Sequence, residues 1–68
     1  MLEGKEGDSI QPEENLYYMI LRGAAVIQTS GIEYYKGEGE TFGELEIMAG
    51  TSIEEIYFER NSLLVTLK

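Results

Sequence analysis

The residues that could do chemistry here are defined first by two absences: the 68-residue chain contains neither histidine nor cysteine. Without them there is no Ser/His/Asp or Cys/His nucleophilic set, no thiolate metal site and no disulfide. The commonest acid–base group at neutral pH is missing as well. What remains is carboxylates, hydroxyls and phenols. The acidic pairs Glu13-Glu14 and Glu54-Glu55 lack the Asp-rich spacing of a calcium loop. Neighbours on a strand point to opposite faces, so neither pair acts on one substrate, and both read as solvated surface. The loop Ala49-Gly50-Thr51-Ser52-Ile53-Glu54 offers two hydroxyls and the N–H groups of a turn, a set that could hold an anion. Glu54 and Glu55 oppose it by like-charge repulsion, and Arg22, Lys36 and Arg60 lie outside the loop. The aromatic set Tyr17, Tyr18, Tyr34, Tyr35, Tyr57 and Phe58 could stack a ring. Strand tyrosines more often fill a core or its rim, and that is the expectation here.

Short strands must position these groups. Leu16–Leu21 is an unbroken apolar run with two tyrosines, too short for a comfortable helix and rich in strand formers. Gly23 breaks or bends it, and 24–29 continues as strand. Ser30-Gly31 is a hairpin signal that places 32–35 on the return strand. The stretch 36–40 is a glycine-rich turn, and 41–48 is ambiguous between a strand end and one helical turn. A turn at 50–52, a strand at 53–58, a turn at 59–62 and a last strand at 63–67 complete the chain. Residues 1–15 are polar, with a short strand or turn at 7–10 and a loop around Pro12. Close-spaced strands with turns between them mean an all-β sandwich or barrel with little helix.

Composition narrows the function classes. One small domain, residues 1–68, is all this length allows. A chain this short buries only about 60% of its unfolded surface, so its stability is marginal. Thirteen acidic residues against five basic give a net charge of −8, which repels DNA, RNA and anionic membranes. No apolar run reaches the length of a membrane span, and no signal-peptide pattern opens the chain. A soluble cytoplasmic protein is the expectation.

Two blocks carry a resemblance. Leu16-Tyr17-Tyr18-Met19-Ile20-Leu21-Arg22-Gly23-Ala24-Ala25-Val26-Ile27 and Gly39-Glu40-Thr41-Phe42-Gly43-Glu44-Leu45 resemble the cyclic-nucleotide-binding domain family, in the form of the catabolite-activator-type effector domains of bacterial transcription control. The resemblance covers roughly residues 7–67. It implies an antiparallel jelly-roll β-barrel and a regulatory, non-enzymatic, effector-sensing role. It assigns Phe42, Gly43, Glu44 and Leu45 to the segment that holds ribose and phosphate. Glu44 would accept a hydrogen bond from a ribose hydroxyl, and Gly43 would let the backbone approach the ligand; the alternative is inherited architecture, a turn that needs glycine. The family's phosphate-binding Arg falls at the positions of Ile53 and Glu54, so Thr51, Ser52 and Ile53 line a cradle without its cation. Loss of cyclic-nucleotide affinity is expected, and no cofactor or metal is implied. The helices and DNA-binding motif that flank such domains do not fit this length, which makes the chain a minimal domain or an excised piece. A rival is the cupin family, which shares the barrel. Gly7-Asp8-Ser9-Ile10-Gln11-Pro12 and the tyrosine-rich strand ending in Arg22-Gly23 resemble its first motif. Glu13, Glu14 and Asn15 stand where cupins place histidines.

The first long strand is apolar on both faces. Alternation sends Leu16, Tyr18 and Ile20 one way and Tyr17, Met19 and Leu21 the other. A one-layer barrel covers one of these sets, so the second predicts a homodimer or a missing partner domain.

Overall fold

A computed structural model describes residues 1–13 and 16–67, with Leu45 described by its backbone alone. Eight strands and one short helix follow in chain order: β1 (Leu2–Gly4), β2 (Ser9–Ile10), β3 (Tyr17–Arg22), β4 (Ala24–Thr29), β5 (Ile32–Gly37), β6 (Thr41–Phe42), α1 (Glu44–Ala49), β7 (Glu55–Phe58) and β8 (Ser62–Leu67). They form two four-stranded antiparallel sheets, ordered β1-β8-β3-β6 and β2-β7-β4-β5. The β4–β5 hairpin stays within one sheet; every other connection passes to the opposite sheet.

The all-β expectation holds in this coarse form, but the closed barrel does not. Among the described residues no ladder joins the two sheets, which face each other as a sandwich. β1, β2 and β6 are two or three residues long and sit at sheet edges, too short to bridge the gap. Short edge strands also offer few unpaired backbone groups to another chain. The sequence reading missed β1, whose only inward small residue is Gly4. It is buried because the Phe58 ring lies where its Cβ would be.

Each sheet contributes four side chains to the core: Tyr18, Ile20, Phe42 and Leu64 from one, Ala25, Ile27, Ile56 and Phe58 from the other. The period-2 alternation of β3 and β4 places them inward. The sharpest local demand is at Gly23, the single residue between β3 in one sheet and β4 in the other. Its φ is 92°, and a Cβ there would lie 2.6 Å from the Asn61 carbonyl oxygen and 2.3 Å from Ser62 Oγ. Buried Ser62 ties the crossing down: its Oγ accepts from Ala24 N–H at 3.2 Å and donates to the Arg60 carbonyl at 2.7 Å.

Candidate functional site

The segment after β5 reverses through a glycine-rich turn and returns as β6, which pairs with β3 in the register Tyr18↔Phe42 and Met19↔Thr41. That register turns Phe42 inward. It is 3% exposed and stacks on Tyr18 with ring centroids 5.3 Å apart. Phe42 is therefore chiefly a core residue, and with Gly43 and Glu44 it also lines a second hollow.

Gly43 follows at φ 101° and caps α1. A Cβ there would stand 3.1 Å from the Cα and Cβ of Tyr17 and 3.2 Å from the Leu16 carbonyl oxygen. The close approach that demands glycine is thus between two segments of this chain. α1 closes through Gly50, with Gly50 N–H donating to the Ile47 carbonyl and Thr51 N–H to the Glu46 carbonyl. This pair of bonds is a Schellman closure. It commits the Gly50 and Thr51 N–H groups, while Glu54 N–H donates to the Gln28 carbonyl. The Ser52 carbonyl accepts from Thr29 Oγ1. Three of the loop's N–H donors, those of Gly50, Thr51 and Glu54, are thus engaged in holding the loop.

Around this loop the described residues form a pocket of ≈ 310 Å³ at the mouth of the sandwich. Of the sequence-predicted residues, Gly43, Thr51, Ser52 and Ile53 meet in it. Leu16, Ile47 and Ile53 supply its apolar wall, and Pro12 and Glu13 close it from the opposite side. Leu16 and Ile53 also pack against the core, so the position where the resemblance expects arginine holds a half-buried apolar side chain. Among the described residues, no lysine or arginine lines the pocket. Glu14 and Asn15, which the cupin comparison singled out, lie outside the described residues, as does the Leu45 side chain.

Glu44 is placed elsewhere. It is exposed, accepts a 2.7 Å hydrogen bond from Thr41 Oγ1 and borders a second, larger hollow with Tyr35, Lys36 and Met48. Beside Glu13, the carboxylate that reaches the first pocket is Glu46, which sequence reasoning missed. It is 9% exposed and forms part of both hollows. The signal was the secondary structure itself. On a strand Glu44 and Glu46 would share a face, whereas on a helix of 3.6 residues per turn they point to nearly opposite sides. The Tyr34 hydroxyl donates to both Glu46 carboxylate oxygens at 3.2 Å. Burial, then the Glu46 charge and this hydrogen bond, push the Tyr34 hydroxyl up to about 12. It therefore remains a donor throughout the neutral range. Lys36 Nζ lies 5.6 Å from the Tyr34 ring centroid and 3.9 Å from Glu40.

The predicted association residues also find their places. Tyr17 and Met19 are half-buried on the outer face of their sheet, and Leu21 sits at a bulge in the β3–β8 pairing, 36% exposed. The register sets Tyr17 beside Leu67, Met19 beside Val65 and Arg22 beside Leu63. The apolar outer face is therefore wider than β3 alone predicts. Among the described residues no helix is long and apolar enough to cross a membrane, and no group of three or more acidic side chains is arranged to hold a metal. Comparison with protein-family models, characterised proteins and solved structures finds no match to the chain.

Proposed function

We propose that this chain is a regulatory module of jelly-roll type that senses a small effector in the pocket at the mouth of its sandwich, and does so without catalysis and without binding cyclic AMP or cyclic GMP in the manner of the family it resembles. The carrying observation is the convergence of Gly43, Thr51, Ser52 and Ile53 on one pocket that, among the described residues, no lysine or arginine lines. The jelly-roll reading is supported by the strand orders β1-β8-β3-β6 and β2-β7-β4-β5, and by connections that alternate between the sheets. Two interleaved Greek keys over eight strands produce this arrangement. A cyclic phosphate in the pocket would meet two carboxylates and no cation among the described residues, and would forgo charge-assisted bonds worth roughly 1.5–3 kcal/mol each. The test is thermal denaturation against a panel of small metabolites and both cyclic nucleotides. A bound effector at 100 times its dissociation constant adds about 2.7 kcal/mol of stability. The cyclic nucleotides are expected to leave the midpoint unchanged, and a shift with either would reject the reading.

The cupin-type alternative draws on one observation: Pro12 and Glu13 of the motif-like segment reach the same pocket. Bound metal in the purified protein, measured by elemental analysis, would favour it.

The module acts as a homodimer in this proposal. The outer face carrying Tyr17, Met19, Leu63, Val65 and Leu67 is apolar, and Glu3 is its one acidic side chain among the registered positions. On a molecule of net charge −8 a second copy can approach only where acidic charge is sparse, and this face provides that place.

A further inference from the structure

We propose that the pocket selects a small amphipathic cation, a primary ammonium group on a compact apolar body, with the Glu46 carboxylate as its anchor. This deepens the effector-site reading above and rests on it. The first argument is the acceptor balance at Glu46. An ionised carboxylate offers about four lone-pair sites, and the Tyr34 hydroxyl brings a single proton shared between both oxygens at 3.2 Å. Among the described residues no lysine or arginine pairs with Glu46, although it is 9% exposed. Carboxylates so deeply buried normally have a partner that meets their acceptor capacity. An ammonium group brings three donors and the opposite charge.

The second argument is the rest of the lining. Leu16, Ile47 and Ile53 can cover a hydrocarbon body, while Glu13 at the rim adds a second negative charge on the approach. The Thr51 N–H, which would favour an anion, is spent on capping α1. A volume of ≈ 310 Å³ stands at the small end of ligand pockets, which run from about 300 to 1,000 Å³, so the occupant is a compact molecule. An anion would face both carboxylates and no lysine or arginine among the described lining residues.

The test is a ¹⁵N-resolved NMR titration with three matched probes in moderate salt: phenethylammonium, its neutral counterpart 2-phenylethanol, and phenylacetate. Phenethylammonium should shift the Leu16, Gly43, Gly50 and Ser52 amides saturably and bind about tenfold or more tighter than the alcohol. Phenylacetate should leave these amides in place. Glu46→Gln should erase the preference for the amine, whereas Glu59→Gln, which removes the same charge outside both hollows, should keep it. Tyr34→Phe, which spares the carboxylate and releases its one donor among the described residues, should bind the amine at least as tightly and covers the case in which Glu46→Gln does not fold. Equal binding of amine and alcohol, or loss of the amine in Tyr34→Phe, would overturn the cation assignment and leave the pocket standing as an effector site. Unsaturable shifts spread over all acidic segments would overturn it as mere bulk attraction. No response at the pocket amides to any probe would overturn the assignment and count against the effector-site reading too.

Discussion

At the scale of single residues, position within a two-residue span separates structural from chemical roles. Phe42 and Glu44 flank Gly43, yet Phe42 stacks on Tyr18 in the core and Glu44 faces solvent. Phe42→Ala should therefore cost about 3–5 kcal/mol, the range for a buried aromatic, and leave the domain largely unfolded by chemical denaturation. Glu44→Ala should change stability by about 1 kcal/mol or less, as exposed substitutions do. The Tyr34–Glu46 pair makes a prediction in pH. Tyr34 has a folded value of about 12 against an ordinary value of 10.0. Below the lower value both states keep the proton and the contribution of the pair is complete. Between the two, the unfolded chain releases the proton that the folded chain retains, so stability falls as pH rises, by linkage. Urea midpoints measured at intervals from pH 9 to pH 12 should decline more steeply in the native chain than in Tyr34→Phe. Parallel declines would show that the pair contributes nothing.

At the scale of elements, what was legible in the sequence was whatever rests on local signals. The β4–β5 hairpin follows from Ser30-Gly31, which adopt φ 50° and 76°, the left-handed pair of a type I′ turn. β3 follows from its apolar run, and its inward set Tyr18 and Ile20 from alternation. β1 was not legible, because Leu-Glu-Gly carries no strand signal; its ladder to β8 and the Phe58 ring over Gly4 are tertiary. The helix–strand ambiguity at 41–48 resolved as both, a two-residue strand and then a six-residue helix. The candidate site suffered directly, since period 2 and period 3.6 aim different carboxylates at the pocket. That Gly43, Thr51, Ser52 and Ile53 share one cavity was expected from the resemblance, whereas Glu46 and Tyr34 required the helix to be in place. The element most exposed to a single change is the arch between the sheets. Gly23→Ala should destabilise by about 2–4 kcal/mol, combining left-handed strain with overpacking against the Asn61 backbone. Denaturant unfolding measures it directly, and a cost below about 0.5 kcal/mol would mean that the arch can move aside.

At the scale of the whole molecule, two features compete: a charge of −8 and an apolar outer face on the β1-β8-β3-β6 sheet. Charge repulsion is screened beyond about 8 Å at physiological salt, whereas apolar contact is not. Burying side chains of this kind is worth about 1.5–3 kcal/mol each. Sedimentation equilibrium at micromolar protein should therefore find a dimer at moderate salt that weakens as salt is lowered. Met19→Lys, which places a charge beside Val65, should return it to monomer. A monomer of 7.7 kDa under all conditions would assign that face to a different partner.

The proposed effector pocket is lined, among the described residues, by two carboxylates and by no lysine or arginine. Isothermal titration calorimetry of the chain with cyclic AMP and cyclic GMP tests this most directly. The predicted result is no saturable heat up to millimolar nucleotide. A micromolar dissociation constant for either one would contradict it, because no lysine or arginine among the described lining residues is there to hold the phosphate.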